Sequence, residues 1–113
     1  MTAIAGSGVI GSAMASNAGS TLCTGSDKVC IYDDLNWVGL LGSRSTTSGA
    51  QNVSTGANDK TSSWENERGT GARWYTDANS SGTCRSMPAN SEDSYVGDTY
   101  NDKLTSWATN GTC

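Results

Sequence analysis

The stretch Asn58-Asp59-Lys60-Thr61-Ser62-Ser63-Trp64 returns as Asn101-Asp102-Lys103-Leu104-Thr105-Ser106-Trp107, 43 residues later. The same offset carries residues 30–70 onto 73–113 without a gap. It also pairs Tyr32 with Tyr75, Asp34 with Asp77, Asn36 with Asn79, Gly39 with Gly82 and Val53 with Val96. The identities fall into two clusters at matching spacing, which chance alignment of two Ser-rich segments does not produce. A duplicated unit this short cannot bury a hydrophobic face alone, so the two copies have to cover each other.

Each copy reads as four short strands separated by turn residues, with no helical periodicity. The expected fold is therefore all-β: two four-stranded units facing each other as a sandwich. In the first unit Val29-Cys30-Ile31-Tyr32 is β-prone, Asp33 to Gly39 is turn-rich and Leu40-Leu41 restarts an extended stretch. Arg44 to Gly56 is a polar connection, and Ser62 to Glu67 reads as a strand with Ser62, Trp64 and Asn66 on one face. Glu65 and Glu67 share the other face, which is expected to be solvated. In the second unit Trp74-Tyr75, Thr83 to Met87, Tyr95-Val96 and Thr105 to Ala108 read as the strands.

Composition makes the core small. Leu, Ile and Val total only 13 residues and Phe is absent, although four Trp and four Tyr carry large burial per residue. A core of this size calls for disulfides, metal or both. Four cysteines supply the first: Cys23, Cys30, Cys84 and Cys113. With no His and no Cys-x-x-Cys pair, their spacing matches no common zinc module, so two disulfides are expected. Three pairings are possible. Cys23–Cys30 and Cys84–Cys113 are favoured, the first pair being close in sequence and the second lying within one repeat. Disulfides imply an oxidising, extracytoplasmic setting.

Residues 1–22 carry no charged side chain and are expected to be a flexible leader or signal-peptide remnant, with Ala13-Met14-Ala15 matching a cleavage pattern. Residues 23–113 make a single domain, its first repeat at 29–70 and its second at 71–113. The net charge of −4 and the lack of a Lys/Arg cluster exclude the footprint of a nucleic-acid binder. No apolar run reaches the ~20 residues that span a bilayer. A monomer is expected.

Tyr32-x6-Gly39 followed by Asn58-Asp59-x-x-Ser62-Ser63 resembles the Greek-key signature of the βγ-crystallin superfamily. Tyr75-x6-Gly82 followed by Asn101-Asp102-x-x-Thr105-Ser106 resembles it again. The resemblance spans residues 29–113 and is nearest to small secreted bacterial members, grouped with a microbial peptidase-inhibitor family and with killer-toxin-like relatives. It implies that Tyr32/Gly39/Ser63 and Tyr75/Gly82/Ser106 are structural trios, with Trp64 and Trp107 in the core.

The resemblance also implies two calcium sites between the repeats. The hydroxyls of Ser62 and Thr105 and the side chains of Asn101 and Asn58 would be ligands. Backbone oxygens near Asp59-Lys60, Asp102-Lys103, Asp34 and Asp77 would join them. Oxygen-only donors suit a hard cation. Few of them are charged, which places the expected affinity near ~10⁻⁴ to 10⁻³ M.

The functions that follow are a secreted calcium-binding module, structural or stress-related, an extracellular protease inhibitor, or a killer-toxin-like binder of microbial cell walls. For the inhibitor, the segment Cys84 to Pro88 and the Cys23–Cys30 loop are the candidate contacts. For the wall binder they are Trp37 and Tyr95. An enzyme is not expected: there is no His, and the acidic pairs Asp33/Asp34 and Glu65/Glu67 read as a hairpin and a solvated strand face, which leaves no convincing nucleophile–base pair.

Overall fold

In the computed structural model, which describes Cys23 and residues 27–113, Val29–Asp34 form strand β1 and Val38–Arg44 form β2. A single 3-10 turn, Leu35–Trp37, joins them. Asn36 and Trp37 both have positive φ, 58° and 61°, the combination that lets a tight hairpin follow the twist of its strands. Gly39 comes next at φ 78°, where a side chain is disfavoured. The device recurs at Asn79 (57°), Ser80 (62°) and Gly82 (80°), between β5 (Ala72–Asp77) and β6 (Ser81–Met87). The leader expected at residues 1–22 lies outside the described residues.

The remaining strands are β3 (Gln51–Asn52), β4 (Ser63–Asn66), β7 (Ser91–Asp93) and β8 (Ser106–Ala108). They assemble two antiparallel sheets, ordered β2-β1-β4-β7 and β3-β8-β5-β6. This departs from one sheet per repeat. Each sheet takes three strands from one repeat and its third strand from the other, because a long polar connection precedes β3 and carries it across to β8. The strand expected at Tyr95-Val96 is instead formed at Ser91–Asp93, against β4. Val96 still donates its N–H to Ser62 O (2.9 Å), as Val53 does to Thr105 O (2.9 Å).

Alternation along the strands turns Val29, Ile31 and Trp64 of one sheet towards Ala72, Trp74 and Trp107 of the other, with Met87, Val96 and Leu104 completing the core. Trp64 and Trp107 are 6% and 5% exposed. The core residues obey the repeat: Ile31 stands where Trp74 does, and Val29 where Ala72 does. Disulfides join Cys23 to Cys30 and Cys84 to Cys113. The second closes 29 residues, a loop length for which chain entropy gives roughly 3–4 kcal/mol. The first seals a small cluster of Cys23, Cys30, Tyr32 and Trp37 on the outer face of its sheet. Among the described residues no helix is long and apolar enough to cross a membrane.

Candidate metal centre

The second signature of each repeat closes over the hairpin of the first. Ser63 Oγ donates to Asp34 O (2.6 Å) and accepts from Trp37 N–H (3.0 Å). Ser106 Oγ repeats this with Asp77 O (2.7 Å) and Ser80 N–H (3.2 Å). Both serines are fully buried, so each satisfies two hairpin groups that water does not reach.

Ahead of these serines, the Asn-Asp turns lean on each other's repeat. Asp59 N–H donates to Leu104 O (3.2 Å) and Asp102 N–H to Thr61 O (3.1 Å). Asp59 and Asp102 take positive φ, 59° and 61°, a conformation that Asp tolerates in turns. Two oxygen-lined cradles result. In the first, Ser62 Oγ donates to Asn101 Oδ1 (2.6 Å). In the second, Thr105 Oγ1 lies 3.2 Å from Asp59 Oδ1, 3.0 Å from Thr76 O and 3.3 Å from Lys103 O.

The cradles are not equivalent. Asn101 Oδ1 accepts the Ser62 proton, whereas Asn58 Oδ1 is buried with no hydrogen-bond partner among the described residues. Thr61 Oγ1, next to Ser62, is likewise buried and unpartnered. An orphaned buried amide oxygen costs about 1–3 kcal/mol. The donor set is all oxygen and partly preformed, which fits a hard cation such as calcium. The structure brings Asp59 and Thr105 together at one cradle and Ser62 and Asn101 at the other, and Asn58 directly precedes Asp59 in the chain. Lys60 and Lys103 lie in the turns with exposed side chains, so only their carbonyls can serve. The carbonyls of Asp34 and Asp77 go to Ser63 and Ser106, and the one beside Thr105 belongs to Thr76, one residue earlier.

Arg85, offered as inhibitor bait, lies in β6 with its guanidinium 4.1 Å from the Tyr100 ring centroid, and Met87 is buried. Trp37 is half-buried and its indole N–H donates to Trp64 O (3.1 Å). Tyr95 is half-buried, its hydroxyl donating to Asp98.

Sequence reasoning missed one cluster. Glu65 is 1% exposed rather than solvated, and carboxylate oxygens of Glu65, Glu67 and Glu92 all lie within 4.8 Å of one another. Burial pushes the Glu65 carboxyl up to about 7. Tyr32 opposes that rise, and Glu67 and Glu92 add to it. Burial also raises Glu67 and Glu92. The alternation of Glu65 with Glu67 was visible in the sequence, but nothing local told that the face is covered.

The sequence model of peptidase inhibitor family I36 matches residues 16–87. The chain belongs to this family and is folded as a βγ-crystallin domain. It is 31% identical to a βγ-crystallin domain from Flavobacterium johnsoniae, covering 75% of this chain and 98% of that one at a TM-score of 0.57. A βγ-crystallin domain from Clostridium beijerinckii is 28% identical over 71% and 93% of the two chains (TM-score 0.56). One from an archaeon shares the fold at 24% identity, over 73% and 95% (TM-score 0.58). None of the curated proteins matches the chain. The family is thus one described by inhibition of peptidases, not by catalysis.

Proposed function

We propose that this βγ-crystallin domain is an extracellular module that binds calcium in its two cradles and is stabilised by it. The observation that supports this is Asn58 Oδ1, buried and unpartnered beside a turn whose remaining donors are all oxygen. A cation held by Asn58, Thr105 and carbonyls of the second cradle would satisfy that oxygen. Ser62 and Asn101 would serve the first cradle, the Ser62 proton turning away from Asn101. Two disulfides support an oxidising destination.

Millimolar calcium is about 1–10 times the expected Kd, and a ligand that binds only the folded state then adds about 0.4–1.4 kcal/mol per site. For a domain of this size each kcal/mol raises Tm by roughly 4–8 °C. Thermal unfolding in millimolar calcium is therefore expected above that in chelator, with heat of binding in calorimetry. Identical melting curves and no heat would remove this reading.

A second reading, inhibition of an extracellular protease, is supported by the description of the family. Here Arg85 and Met87 are pinned in a strand, so the segment Cys84 to Pro88 is not a protruding substrate-like loop. The exposed turn at Pro88 to Asn90 and the disulfide-linked Cys23–Cys30 region remain as contacts. A panel of metallo- and serine proteases, assayed with micromolar protein, tests it directly. Uninhibited activity across the panel removes it.

A further inference from the structure

We propose that Glu65, Glu67 and Glu92 share a proton in the folded domain, making the sheet β2-β1-β4-β7 an acid-stabilised clasp that loosens towards neutral pH. Glu65 lies in the middle of β4, paired across to Cys30 on β1 and to Glu92 on β7. All three residues face outward, away from the tryptophan core. Tyr32, two residues beyond Cys30 on that face, donates its hydroxyl to Glu65 Oε1 at 2.6 Å. Glu67, two residues along the chain, completes the trio. Like charges directly opposite each other on neighbouring strands are destabilising. Three carboxylates this close, one of them buried, cannot all ionise without large cost.

Tyr32 relieves the trio only in part, by donating to Glu65, and no cation among the described residues pairs with it. From β1 comes Tyr32, and Cys30 is held in its disulfide with Cys23. From β7 comes Glu92 itself; Asp93 pairs with Trp64 on the opposite face and accepts Tyr95 N–H. Ahead of β1, Lys28 meets Glu67 through its carbonyl, which accepts the Glu67 N–H (2.8 Å). Beyond β4, Arg68 lies 4.0 Å from Asp27 and donates to Thr47. Among the described residues no ion pair reaches the trio.

The sign follows from linkage. The folded state binds the proton more tightly than the unfolded chain, so the stabilisation is fully present below the ordinary carboxylate range. It is lost as pH rises to about 7. This is the reverse of a salt-bridged carboxylate, whose contribution is lost in acid.

The test is denaturant unfolding in chelator from pH 4 to 8, on the native sequence, Glu65→Gln and Glu92→Gln. Between the two ends, the unfolding constant of the native protein should rise roughly 100-fold relative to Glu65→Gln, since each pKa unit is tenfold. Glu92→Gln should fall between. The infrared spectrum of the native protein at pH 6 should retain a protonated-carboxyl C=O band that Glu65→Gln lacks. Should Glu65→Gln fail to fold, Glu92→Gln, altered at an exposed residue, carries the same comparison. Parallel pH profiles in all three proteins, or no band, overturn the proposal. So does a calcium-dependent gain that Glu92→Gln abolishes while Asn58→Ala and Asn101→Ala retain it, which would put a divalent cation in the proton's place.

Discussion

Tyr32 and Tyr75 hold one position of the duplicated unit, and their hydroxyls meet opposite charges. Tyr32 donates to the buried Glu65. Tyr75 accepts from Arg73 Nε at 2.7 Å, and that guanidinium lies 5.9 Å from its ring centroid. Arg73 stands where the first repeat has Cys30, and Ala108 where it has Glu65. The turns, the serine bonds and the tryptophan core are kept in both copies because they close the backbone. The outer faces close nothing, so one carries an enclosed acid and the other a half-buried cation. The cradles differ in the same spirit: one acceptor is filled from within and the other is left open.

The hairpin glycines sharpen this comparison most. A Cβ at Gly82 would overlap the Thr76 hydroxyl, which accepts the Thr83 N–H, and would press on Asp77. At Gly39 its nearest neighbour is Asp33 Cβ at 3.3 Å. Left-handed backbone alone costs a non-glycine residue about 1–2 kcal/mol, and overpacking adds about 1–3 kcal/mol. Gly82→Ala is thus expected to lose about 3 kcal/mol or more in urea unfolding, and Gly39→Ala about half that. Equal losses would mean that Thr76 and Asp77 move aside freely.

The tyrosines come next. Tyr32→Phe removes a donor from a buried carboxylate and is expected to cost about 2 kcal/mol at pH 7.5, against about 1 kcal/mol or less for Tyr75→Phe. The gap should narrow at pH 5, where the trio carries its proton. A gap that ignores pH would detach Tyr32 from the acids.

The smallest difference concerns the cradles. In chelator Asn101→Ala should cost about 1 kcal/mol, because Ser62 loses its acceptor, while Asn58→Ala should cost close to nothing. In a calcium titration by calorimetry each variant should lose one binding event. Equal costs in chelator would show that Asn58 finds a partner in solution.

Much of this was legible from one offset. Strands β1 and β5, and β2 and β6, begin and end 43 residues apart, as do the positive-φ turns. Those features depend on residues close in sequence, so a repeat of the letters repeats the structure. The third strands escaped because each pairs with the other repeat: Ser91–Asp93 is fixed by the reach of β4, not by the β-prone Tyr95-Val96 beside it. Glu65 escaped for a related reason. Its cover comes from Tyr32 on one side and Glu92, in the other repeat, on the other. A period of two tells which face a residue takes but not what lies over it.

The exchange of third strands also bears on how the chain reaches its folded form. Neither half can be completed first, since each sheet awaits a strand from the other half. Gln51 must find Trp107, and Glu65 must find Glu92. Such distant pairings put the entropy of ordering the chain ahead of the contacts that offset it. Folding therefore belongs to the slow, all-or-none kind rather than to repeats that add one by one. A lone unit of this design would find its missing strand only in a second molecule. Joining two units in one chain replaces that bimolecular encounter with a local one, at an effective concentration set by the linker.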